Sequence, residues 1–358
     1  MKNKTIVLTG GGTAGHVSLN QAIIPTFEKE NYDIHYIGSK EGIENEIIRD
    51  AFPHIQYHAI SSGKLRRYAS IKNFTDPIRV AKGLLQSLVI LKKVKPSVIF
   101  SKGGFVSVPV VIAGKIANIP VVIHESDVSP GLANKIAIPF AHHIFSIFPE
   151  TLKHLPKEKS SCSGSIIRSQ LFEGNKQAGL QKCDFTGFKP VILVMGGSQG
   201  SSVINDAIRN NLPQLLLTYD VIHLCGKGKK DDALEGTKGY KQFEYVTDEL
   251  PDLLHASDLI ISRAGSNSIF EFMALNKPML LIPLSKQKSR GDQILNANLF
   301  KKNGWALVLE EEDVTTESLL ASISQLATEA PHLRAKMDDA EMPKTPEEMV
   351  KIITSYSI

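Results

Sequence analysis

Cysteine is scarce in this 358-residue chain, and the spacing of the few present excludes two kinds of site. The three cysteines lie far apart, so they match neither a metal site nor a redox pair. A reduced, cytoplasmic compartment is the simplest expectation for such a chain. The sequence contains no Asp-x-Asp triplet that could hold a metal-bound diphosphate, and no histidine–cysteine cluster that would indicate zinc.

Long apolar runs are also missing. The longest apolar stretch, residues 106–123, is interrupted by Pro109, Lys115, Asn118 and Pro120. These interruptions predict a helix followed by a buried strand instead of a membrane span. No apolar segment typical of a signal peptide precedes the first glycine cluster. With 42% hydrophobic and 22% charged residues, the composition is that of a globular protein with large cores.

Acidic residues are nearly absent from residues 61–95, although the net charge of the whole chain is only +4. The single acid there is Asp76. The basic residues of the segment are Lys64, Arg66, Arg67, Lys72, Arg79, Lys82, Lys92, Lys93 and Lys95. Apolar side chains such as Phe74 lie between them, so we expect a basic amphipathic surface that binds an anionic membrane. Nucleic acid is disfavoured because no aromatic-interleaved motif is present, and a solvated helix face is the alternative for residues 92–95.

Apolar β-branched runs alternate with helix-length segments, which is typical of parallel sheets built from βαβ units. The sequence contains an internal repeat, in which two segments recur in the same order. TIVLTGGGTAG is similar to VILVMGGSQGS, and residues 98–123 are similar to residues 259–282. We therefore predict an α/β protein with two Rossmann-like, doubly wound parallel-sheet domains that face each other across a cleft. The polar segment 156–165 predicts the boundary. The predicted domains are residues 1–163 and residues 164–342. A C-terminal helix is predicted in residues 343–358, and whether it packs against the first domain stays open.

The first glycine cluster follows the first predicted strand, and Gly10, Gly12 and Gly15 fit the dinucleotide fingerprint G-x-G-x-x-G. A dinucleotide site also needs an acid at the end of the second strand, where this chain has Ser39 and Lys40. The dinucleotide interpretation is therefore disfavoured. An anion-binding turn, and a turn that needs glycine only for its backbone angles, both remain open.

His16 lies just after this turn, in the first turn of the predicted helix. The helix dipole disfavours a positive charge there and lowers the pKa of the imidazole. A neutral imidazole at physiological pH suits a general base. Helix capping and simple substrate binding are the alternatives.

Further candidates lie at other predicted strand ends and helix starts. The second glycine loop, residues 196–201, offers backbone N–H groups to a phosphate, and Arg168 adds a fixed charge. The polar residues that suit sugar or ribose hydroxyls, or that end a buried strand, are His124, Glu125, Glu271, Asp292, Gln293 and Asn296. Helix capping is the simpler role for Asp292.

Seven motifs occur together in an order that resembles the MurG family of bacterial N-acetylglucosaminyltransferases, which make lipid II for peptidoglycan. They are GGGTAGH, SKGGFVSVP, HESDVSPGLANK, GSIIR, GGSQGS, SRAGSNSIFE and DQILNA. Within this family, the sequence resembles the members found in low-GC Gram-positive bacteria. The resemblance implies the two-domain GT-B fold, with UDP-N-acetylglucosamine (UDP-GlcNAc) in the C-terminal domain and the lipid acceptor on the N-terminal domain.

The resemblance and the residues together assign roles. His16 is the candidate base, with Glu125 in reserve. The donor-binding set is Thr13, Ala14, Gly15, Arg168, Ser198, Gln199, Gly200, Leu250, Gly265, Ser266, Asn267, Glu271, Asp292 and Gln293. The acceptor-binding set is Gly11, Gly12, Gly103, Gly104, His124, Asp127 and Asn134. The membrane-binding set is Lys64, Arg66, Arg67, Lys72, Phe74 and Arg79, and no metal ligand is expected.

Two positions depart from the family's motifs. Ala14 stands where the family's turn has another glycine. Asp127 ends the sequence HESD where the family has HEQN, so a carboxylate replaces an amide that contacts the acceptor.

The expected reaction is an inverting, metal-independent and cofactor-free transfer of GlcNAc from UDP-GlcNAc. The acceptor is the 4-hydroxyl of MurNAc in undecaprenyl-diphosphoryl-MurNAc-pentapeptide (lipid I), and the product is lipid II. Expected partners are these substrates, the anionic cytoplasmic face of the cell membrane, and other cell-wall synthesis and division proteins, without nucleic acid. Two rivals remain: a UDP-GlcNAc 2-epimerase of the same fold, and a non-catalytic UDP-sugar-binding or membrane-scaffold protein.

Overall fold

The computed structural model describes residues 4–13, 15–63, 72–197, 199–287, 289, 291–340 and 344–358, with side chains in the helix that begins at Lys72 described from Pro77 onward. The chain divides into two compact units. Unit 1 comprises Met1–Arg168 and Lys344–Ile358, and unit 2 comprises Ser169–Pro343.

Unit 1 is a parallel sheet with helices on both faces. Its strands are β1 (Thr5–Thr9), β2 (Asp33–Ser39), β3 (Gln56–Ile60), β4 (Val98–Ser101), β5 (Val121–Glu125), β6 (His143–Ser146) and β7 (Ser160–Cys162). The first helices are α1 (Gly15–Lys29), α2 (Ile43–Ala51), α3 (Lys72–Val94), α4 (Ser107–Ile116) and α5 (Leu132–Ala137). The strand order is β3-β2-β1-β4-β5-β6-β7, and neighbouring strands pair in parallel.

Unit 2 repeats the architecture. Its strands are β8 (Val191–Met195), β9 (Asp220–Leu224), β10 (Tyr240–Phe243), β11 (Leu259–Ser262), β12 (Met279–Leu281) and β13 (Leu307–Val308). Its helices are α6 (Lys176–Lys182), α7 (Ser202–Asn210), α8 (Leu212–Thr218), α9 (Leu250–Ala256), α10 (Ser266–Ala274), α11 (Asp292–Lys302) and α12 (Thr316–Asp338). The strand order is β10-β9-β8-β11-β12-β13, again parallel. Two doubly wound α/β domains are therefore confirmed.

The apolar runs of the sequence become strands buried on both faces. In β1, Ile6 and Leu8 pack in the core beneath α1, whereas Val7 packs in the core on the opposite face, beneath α4. Successive side chains of a strand point to opposite faces, so a strand covered by helices on both sides needs an unbroken apolar run. The parallel arrangement brings the carboxyl ends of the central strands to one edge of each sheet.

The repeat seen in the sequence is structural. In unit 1, β4, α4 and β5 follow one another, and in unit 2 the same order is given by β11, α10 and β12. Each helix is followed by an asparagine in the left-handed region, Asn118 with φ 55° and Asn276 with φ 52°. A proline stands two residues later in both cases and begins the return to the sheet.

The contacts place the division after Arg168, five residues later than the boundary predicted after Ser163. Ile166 forms a parallel bridge with Lys344 and packs against the core of unit 1, which keeps this segment with the first sheet. The last helix, α13 (Pro346–Thr354), belongs to the same unit. Its residues Met349, Val350 and Ile353 are fully buried in the core that α1 also covers.

Candidate functional sites

Two turns of unit 1 pack backbone to backbone at the carboxyl edge of its sheet, which we call edge 1. They are the β1–α1 turn and the β4–α4 turn. Gly11 donates its N–H to the carbonyl of Gly103 at 3.2 Å, and a Cβ on Gly104 would overlap the carbonyl oxygen of Gly11. Gly104 also has φ +87°, where side chains are strained. The close approach of the turns therefore requires glycine at position 104.

A buried carboxylate lies beneath the β1–α1 turn, and the sequence did not reveal it. Glu44 of α2 is 1% exposed, and its oxygens accept from the N–H of Gly12 at 3.0 Å and from the N–H of Ser39 at 3.0 Å. In a dinucleotide site, such a turn N–H faces a phosphate. Because a carboxylate already occupies this N–H and carries the same sign of charge, the geometry argues against a dinucleotide phosphate at Gly12.

His16 is the second residue of α1, as the sequence predicted. Its Nδ1 lies 2.9 Å from the carbonyl oxygen of Gly11 and 3.2 Å from Oγ1 of Thr13. A carbonyl oxygen only accepts, so Nδ1 carries a proton, and in the neutral imidazole Nε2 then carries the lone pair. This tautomer is the one that a base acting through Nε2 requires. The catalytic role of His16 stays a prediction.

Glu125, the reserve base, is engaged by the loop that follows it. One oxygen accepts from the N–H groups of Ser126 and Asp127, at 2.8 and 3.0 Å. The other accepts from Gly131 N at 3.0 Å and Asn134 Nδ2 at 2.8 Å. Burial and then the charge of Asp127 raise the pKa of this carboxyl, while the hydrogen bonds oppose the rise. Four donors on a buried carboxylate give it a positioning role in the loop, and this geometry does not support its use as a base.

The ends of β4 and β5 bring two buried polar groups together at edge 1. Nζ of Lys102 lies 3.0 Å from Nδ1 of His124 and also contacts Oγ of Ser126. Burial lowers the pKa of Lys102 to about 8, although Glu125 and Asp127 oppose this shift. Burial, and then the Lys102 charge, hold the pKa of His124 well below its ordinary value. His124 is therefore neutral at physiological pH.

The acceptor set predicted from the sequence is concentrated at this edge. Asn134 of α5 donates to the carbonyl of His124 at 3.3 Å, and a Cβ on Gly103 would approach Oδ1 of Asn134. The carbonyl of Asp127 accepts from Oγ1 of Thr151 at 3.1 Å. The edge thus brings together the glycine turns, His124 and Asn134. Their contact with an acceptor stays a prediction.

The carboxyl edge of the unit 2 sheet, edge 2, is organised by a buried arginine. Arg263 follows β11 and donates to the carbonyls of Ile282 and Pro283, at 3.0 and 3.2 Å. Those two bonds come from Nη1, whereas Nη2 donates to Oγ of Ser201 at 2.6 Å and pairs with the carboxylate of Glu311. The side chains of Arg263 and Glu311 are 9% and 4% exposed. The guanidinium of Arg263 therefore connects the N-cap of α7 to the backbone of the segment that follows β12.

The starts of α7, α10 and α11 lie at edge 2. Ser201 is the N-cap of α7 and accepts from Ile204 N at 3.3 Å. The N-cap of α10 is Gly265, and Asn296 of α11 donates to the carbonyl of Ala264 at 3.2 Å. Helix N-termini present N–H groups and a partial positive charge, which suit a diphosphate.

The donor set predicted from the sequence is distributed along this edge, with exceptions. Gln199 and Gly200 precede α7, Leu250 begins α9, Ser266 and Asn267 begin α10, and Glu271 lies in its second turn. Asp292 is the first residue of α11 and does not cap it, because the N-cap is Gly291 in the left-handed region. Oε1 of Gln293 accepts from Leu284 N at 3.0 Å. Thr13, Gly15 and Arg168 lie in unit 1, while Ala14 and Ser198 lie outside the described residues.

The predicted membrane segment is described only in part. Lys64, Arg66 and Arg67 lie outside the described residues, and the side chains of Lys72 and Phe74 are likewise not described. From Pro77 onward α3 buries Ser87 and Leu91. Its opposite face exposes apolar and basic side chains: Ile78, Arg79, Lys82, Leu85, Val89, Lys92 and Lys93. Within the described part of the chain, none of the helices combines the length and the apolar character that a membrane span requires.

The same residues contain no group of three or more His, Cys, Asp or Glu side chains that could hold a metal ion.

Comparison with known proteins gives a consistent assignment. Residues 6–146 match the glycosyltransferase family 28 N-terminal domain, and residues 191–351 match its C-terminal domain. A relative from Lachnospira eligens is 53% identical over 354 residues, covering 99% of each chain, and one from Geobacillus thermodenitrificans is 57% identical over 323 residues, covering 90% of each. Both are named UDP-N-acetylglucosamine--N-acetylmuramyl-(pentapeptide) pyrophosphoryl-undecaprenol N-acetylglucosamine transferase.

Solved structures support the fold. The crystal structure of Acinetobacter baumannii MurG is 22% identical, covers 99% of each chain and aligns with a TM-score of 0.76. A calicheamicin glycosyltransferase, CalG4, aligns with a TM-score of 0.70 at 12% identity, which indicates the GT-B fold alone. From the match of both domains and the identity over the whole length, we conclude that the chain belongs to glycosyltransferase family 28 and, within it, to the MurG group of N-acetylglucosamine transferases.

Proposed function

We propose that this protein transfers GlcNAc from UDP-GlcNAc to the 4-hydroxyl of MurNAc in lipid I, giving lipid II and UDP. The observation that carries the proposal is the identity above 50% over at least nine-tenths of the chain with relatives that bear this transferase name. We assign the lipid acceptor to edge 1 and the donor to edge 2. Helix N-termini lie at both edges, and edge 1 adds the imidazoles of His16 and His124, which supports this assignment.

The proposed reaction is a single displacement with inversion. The acceptor oxygen forms a bond to C1 of GlcNAc while the bond between C1 and the UDP oxygen breaks. The proton of the attacking hydroxyl passes to Nε2 of His16, whose Nδ1–H is held by the carbonyl of Gly11. A base positioned in this way contributes on the order of 10²–10⁴-fold to the rate of such a step.

The departing UDP is proposed to be stabilised without a metal ion. The N-terminal N–H groups of α7 and α10 supply partial positive charge, and Arg168 with Ser198 adds contacts to the diphosphate. Glu271 of α10 is assigned to the ribose, and Gln293 to the sugar. Preorganised donors of this kind stabilise charge where it develops in the transition state.

The exposed face of α3 is proposed to dock on the cytoplasmic face of the membrane. Ile78, Leu85 and Val89 are 71%, 65% and 70% exposed, and Arg79 and Lys82 lie between them in the helix. An apolar stripe flanked by basic residues binds anionic lipid by combining burial with charge attraction. The double variant Leu85→Ser/Val89→Ser is expected to lose affinity for vesicles that contain anionic lipid, and Arg79→Ala/Lys82→Ala is expected to lose the salt dependence of binding. Binding that stays unchanged in both variants would reject this surface.

The function is tested with labelled UDP-GlcNAc and a soluble lipid I analogue, with and without EDTA. The expected result is a labelled lipid-linked disaccharide and one UDP per transfer, undiminished by EDTA. Epimerised sugar without a disaccharide would instead indicate the epimerase. Binding of UDP-GlcNAc without turnover would indicate a non-catalytic protein, and loss of transfer in EDTA would overturn the metal-independent step.

A further inference from the structure

Lys102 is a buried cation at edge 1, and the proposed reaction assigns it no role. It is 2% exposed, and its backbone N–H binds the carbonyl of Thr9 at 2.9 Å, directly beneath the β1–α1 turn. A Cβ on Gly10 would lie 3.0 Å from the Cβ of Lys102. The side-chain hydrogen bonds of Lys102 go to His124 and Ser126, and neither partner is a carboxylate. Buried lysines ordinarily pair with an anion, so this arrangement requires another explanation.

The contact with Lys102 decides which nitrogen of His124 carries the proton. An ammonium has three donors and no acceptor, so Nδ1 of the neutral His124 must accept. The proton of the imidazole therefore lies on Nε2. His16 is the opposite case, because the carbonyl of Gly11 places the single proton of its neutral ring on Nδ1. Two histidines at one edge are thus held in opposite tautomers by partners of opposite hydrogen-bonding character.

One polar atom on each of His124 and Asn134 has no hydrogen-bond partner among the residues that the structure describes. Nε2 of His124, a residue 1% exposed, and Oδ1 of Asn134, a residue 6% exposed, make no hydrogen bond within the described part of the chain. Asn134 is held next to His124, because its Nδ2 donates to the carbonyl of that residue. A buried N–H without an acceptor is costly, and such atoms are usually paired with a ligand or water. One orphan donor and one orphan acceptor suit a hydroxyl or an acetamido group of a sugar.

We propose that Lys102 is a positioning residue of the acceptor site, which holds His124 in the Nε2–H tautomer so that this imidazole donates a hydrogen bond to the sugar of the acceptor. The proposal rests on the proposed function for the identity of that sugar. The charged groups that face Lys102 are the carboxylates of Glu125 and Asp127, which favour its protonated form. A protonated Lys102 is the state that imposes the tautomer, and the proposed base remains His16, whose neutral form has its lone pair on Nε2.

The tautomer is tested directly by long-range ¹H–¹⁵N correlation spectra of the full-length protein with ¹⁵N-histidine, in which His124→Gln identifies the resonances. The wild type is expected to show the Nε2–H pattern at pH 7. Lys102→Arg keeps an obligatory donor and is expected to retain the pattern. Lys102→Met removes the donor and is expected to shift His124 toward Nδ1–H. An Nδ1–H pattern in the wild type, or an unchanged pattern in Lys102→Met, would overturn the proposal.

Kinetics provide the functional arm. Lys102→Met is expected to raise the KM for the lipid I analogue about tenfold, the size of one lost hydrogen bond, while the KM for UDP-GlcNAc stays unchanged. Lys102→Arg is expected to restore most of the acceptor affinity. An acceptor KM that is the same in Lys102→Met and wild type would refute the proposed role.

Lys277 offers a matched control in unit 2. Burial also lowers its pKa to about 8, but its Nζ binds the carbonyls of His255 and Ser257, at 3.4 and 2.7 Å. Lys277→Met is therefore expected to change neither the His124 spectrum nor the acceptor KM. An equal rise in acceptor KM in both variants would reduce the Lys102 effect to a general loss of stability and would refute the proposal. The spectrum does not depend on turnover, so it distinguishes failure of this proposal from failure of the transferase assignment.

Discussion

The Ser-Lys-Gly-Gly turn of unit 1 and the Ser-Arg-Ala-Gly turn of unit 2 follow matching strands, yet their buried cations have different partners. Arg263 pairs with the carboxylate of Glu311, and its remaining bonds go to Ser201 and two carbonyls. Lys102 contacts a neutral imidazole and a hydroxyl. The two turns occupy the same place in the repeat but hold their charge in different ways.

This difference indicates how one architecture serves two tasks. In unit 2 the positive charge is neutralised inside the protein, and the guanidinium holds Ser201 at the start of α7, which we assign to the donor. In unit 1 the ammonium has no direct carboxylate partner among the described residues, and it acts on His124 instead. The comparison therefore predicts that the fold depends on the arginine, whereas acceptor recognition depends on the lysine.

The largest effect on stability is expected from Glu311→Ala. The substitution leaves the buried Arg263 without its counter-charge, and breaking a buried pair in this way costs about 3–5 kcal/mol. The single tryptophan of the chain, Trp305, lies in unit 2, so its fluorescence during urea unfolding follows this unit. The matched variant Lys102→Met is expected to cost far less in unit 1, measured by hydrogen exchange of β4 and β5. Equal losses in the two variants would remove the distinction between the cations.

The glycines that end the two turns give the next effect. Gly104 has φ +87° and no room for a Cβ, whereas Gly265 has φ −69° and meets nothing within 4 Å of an added Cβ. Gly104→Ala is expected to destabilise unit 1 by about 2–4 kcal/mol through strain and overlap. Gly265→Ala is expected to leave the unfolding of unit 2 nearly unchanged. Calorimetry checks both, and a tolerated Gly104→Ala would show that the turns do not need their close approach.

A smaller effect is expected at the start of α7. Ser201→Ala removes both the helix cap and one partner of Arg263, and loss of a cap costs about 1 kcal/mol. The neighbouring Ser202 is exposed and serves as the control, since Ser202→Ala is expected to change stability by less than about 0.5 kcal/mol. Trp305 fluorescence in urea measures the two variants side by side. Equal unfolding curves would show that the Ser201–Arg263 bond does not support edge 2.

A further effect concerns pH. Burial lowers the pKa of Lys102 to about 8, below its ordinary value of 10.5, so between these values the unfolded chain binds more protons than the folded chain. The free energy of unfolding of the wild type should therefore rise relative to that of Lys102→Met as pH increases from 8 to 10. Thermal unfolding across this range checks the sign. A falling difference would mean that the folded protein favours the ammonium more strongly than the unfolded chain does.

The parts of the fold that depend on local patterns were readable from the sequence. Apolar β-branched runs predicted the strands of parallel sheets, and the echo of residues 98–123 in residues 259–282 predicted a structural repeat, which β4–α4–β5 and β11–α10–β12 confirm. His16 was correctly placed in the first turn of α1. These features depend on residues close together in the chain, so one sequence is enough to find them.

The partners of the buried charges were not readable, because they come from distant segments. Glu44 reaches the β1–α1 turn from the next helix, and Glu311 reaches Arg263 from beyond β13. Both glutamates lie in polar sequence that is typical of exposed helix and turn positions. The boundary after Arg168 depends in the same way on the pairing of Ile166 with Lys344, which only the folded chain brings together.

The most direct test of the account is to measure turnover and donor affinity separately in His16→Ala. The account places the base in unit 1 and the donor in unit 2, so kcat should fall on the order of 10²–10⁴-fold. The Kd for UDP-GlcNAc should stay that of the wild type. Near-normal turnover would contradict the assignment of His16 as the base, and a weakened Kd with unchanged turnover would place this histidine with the donor instead.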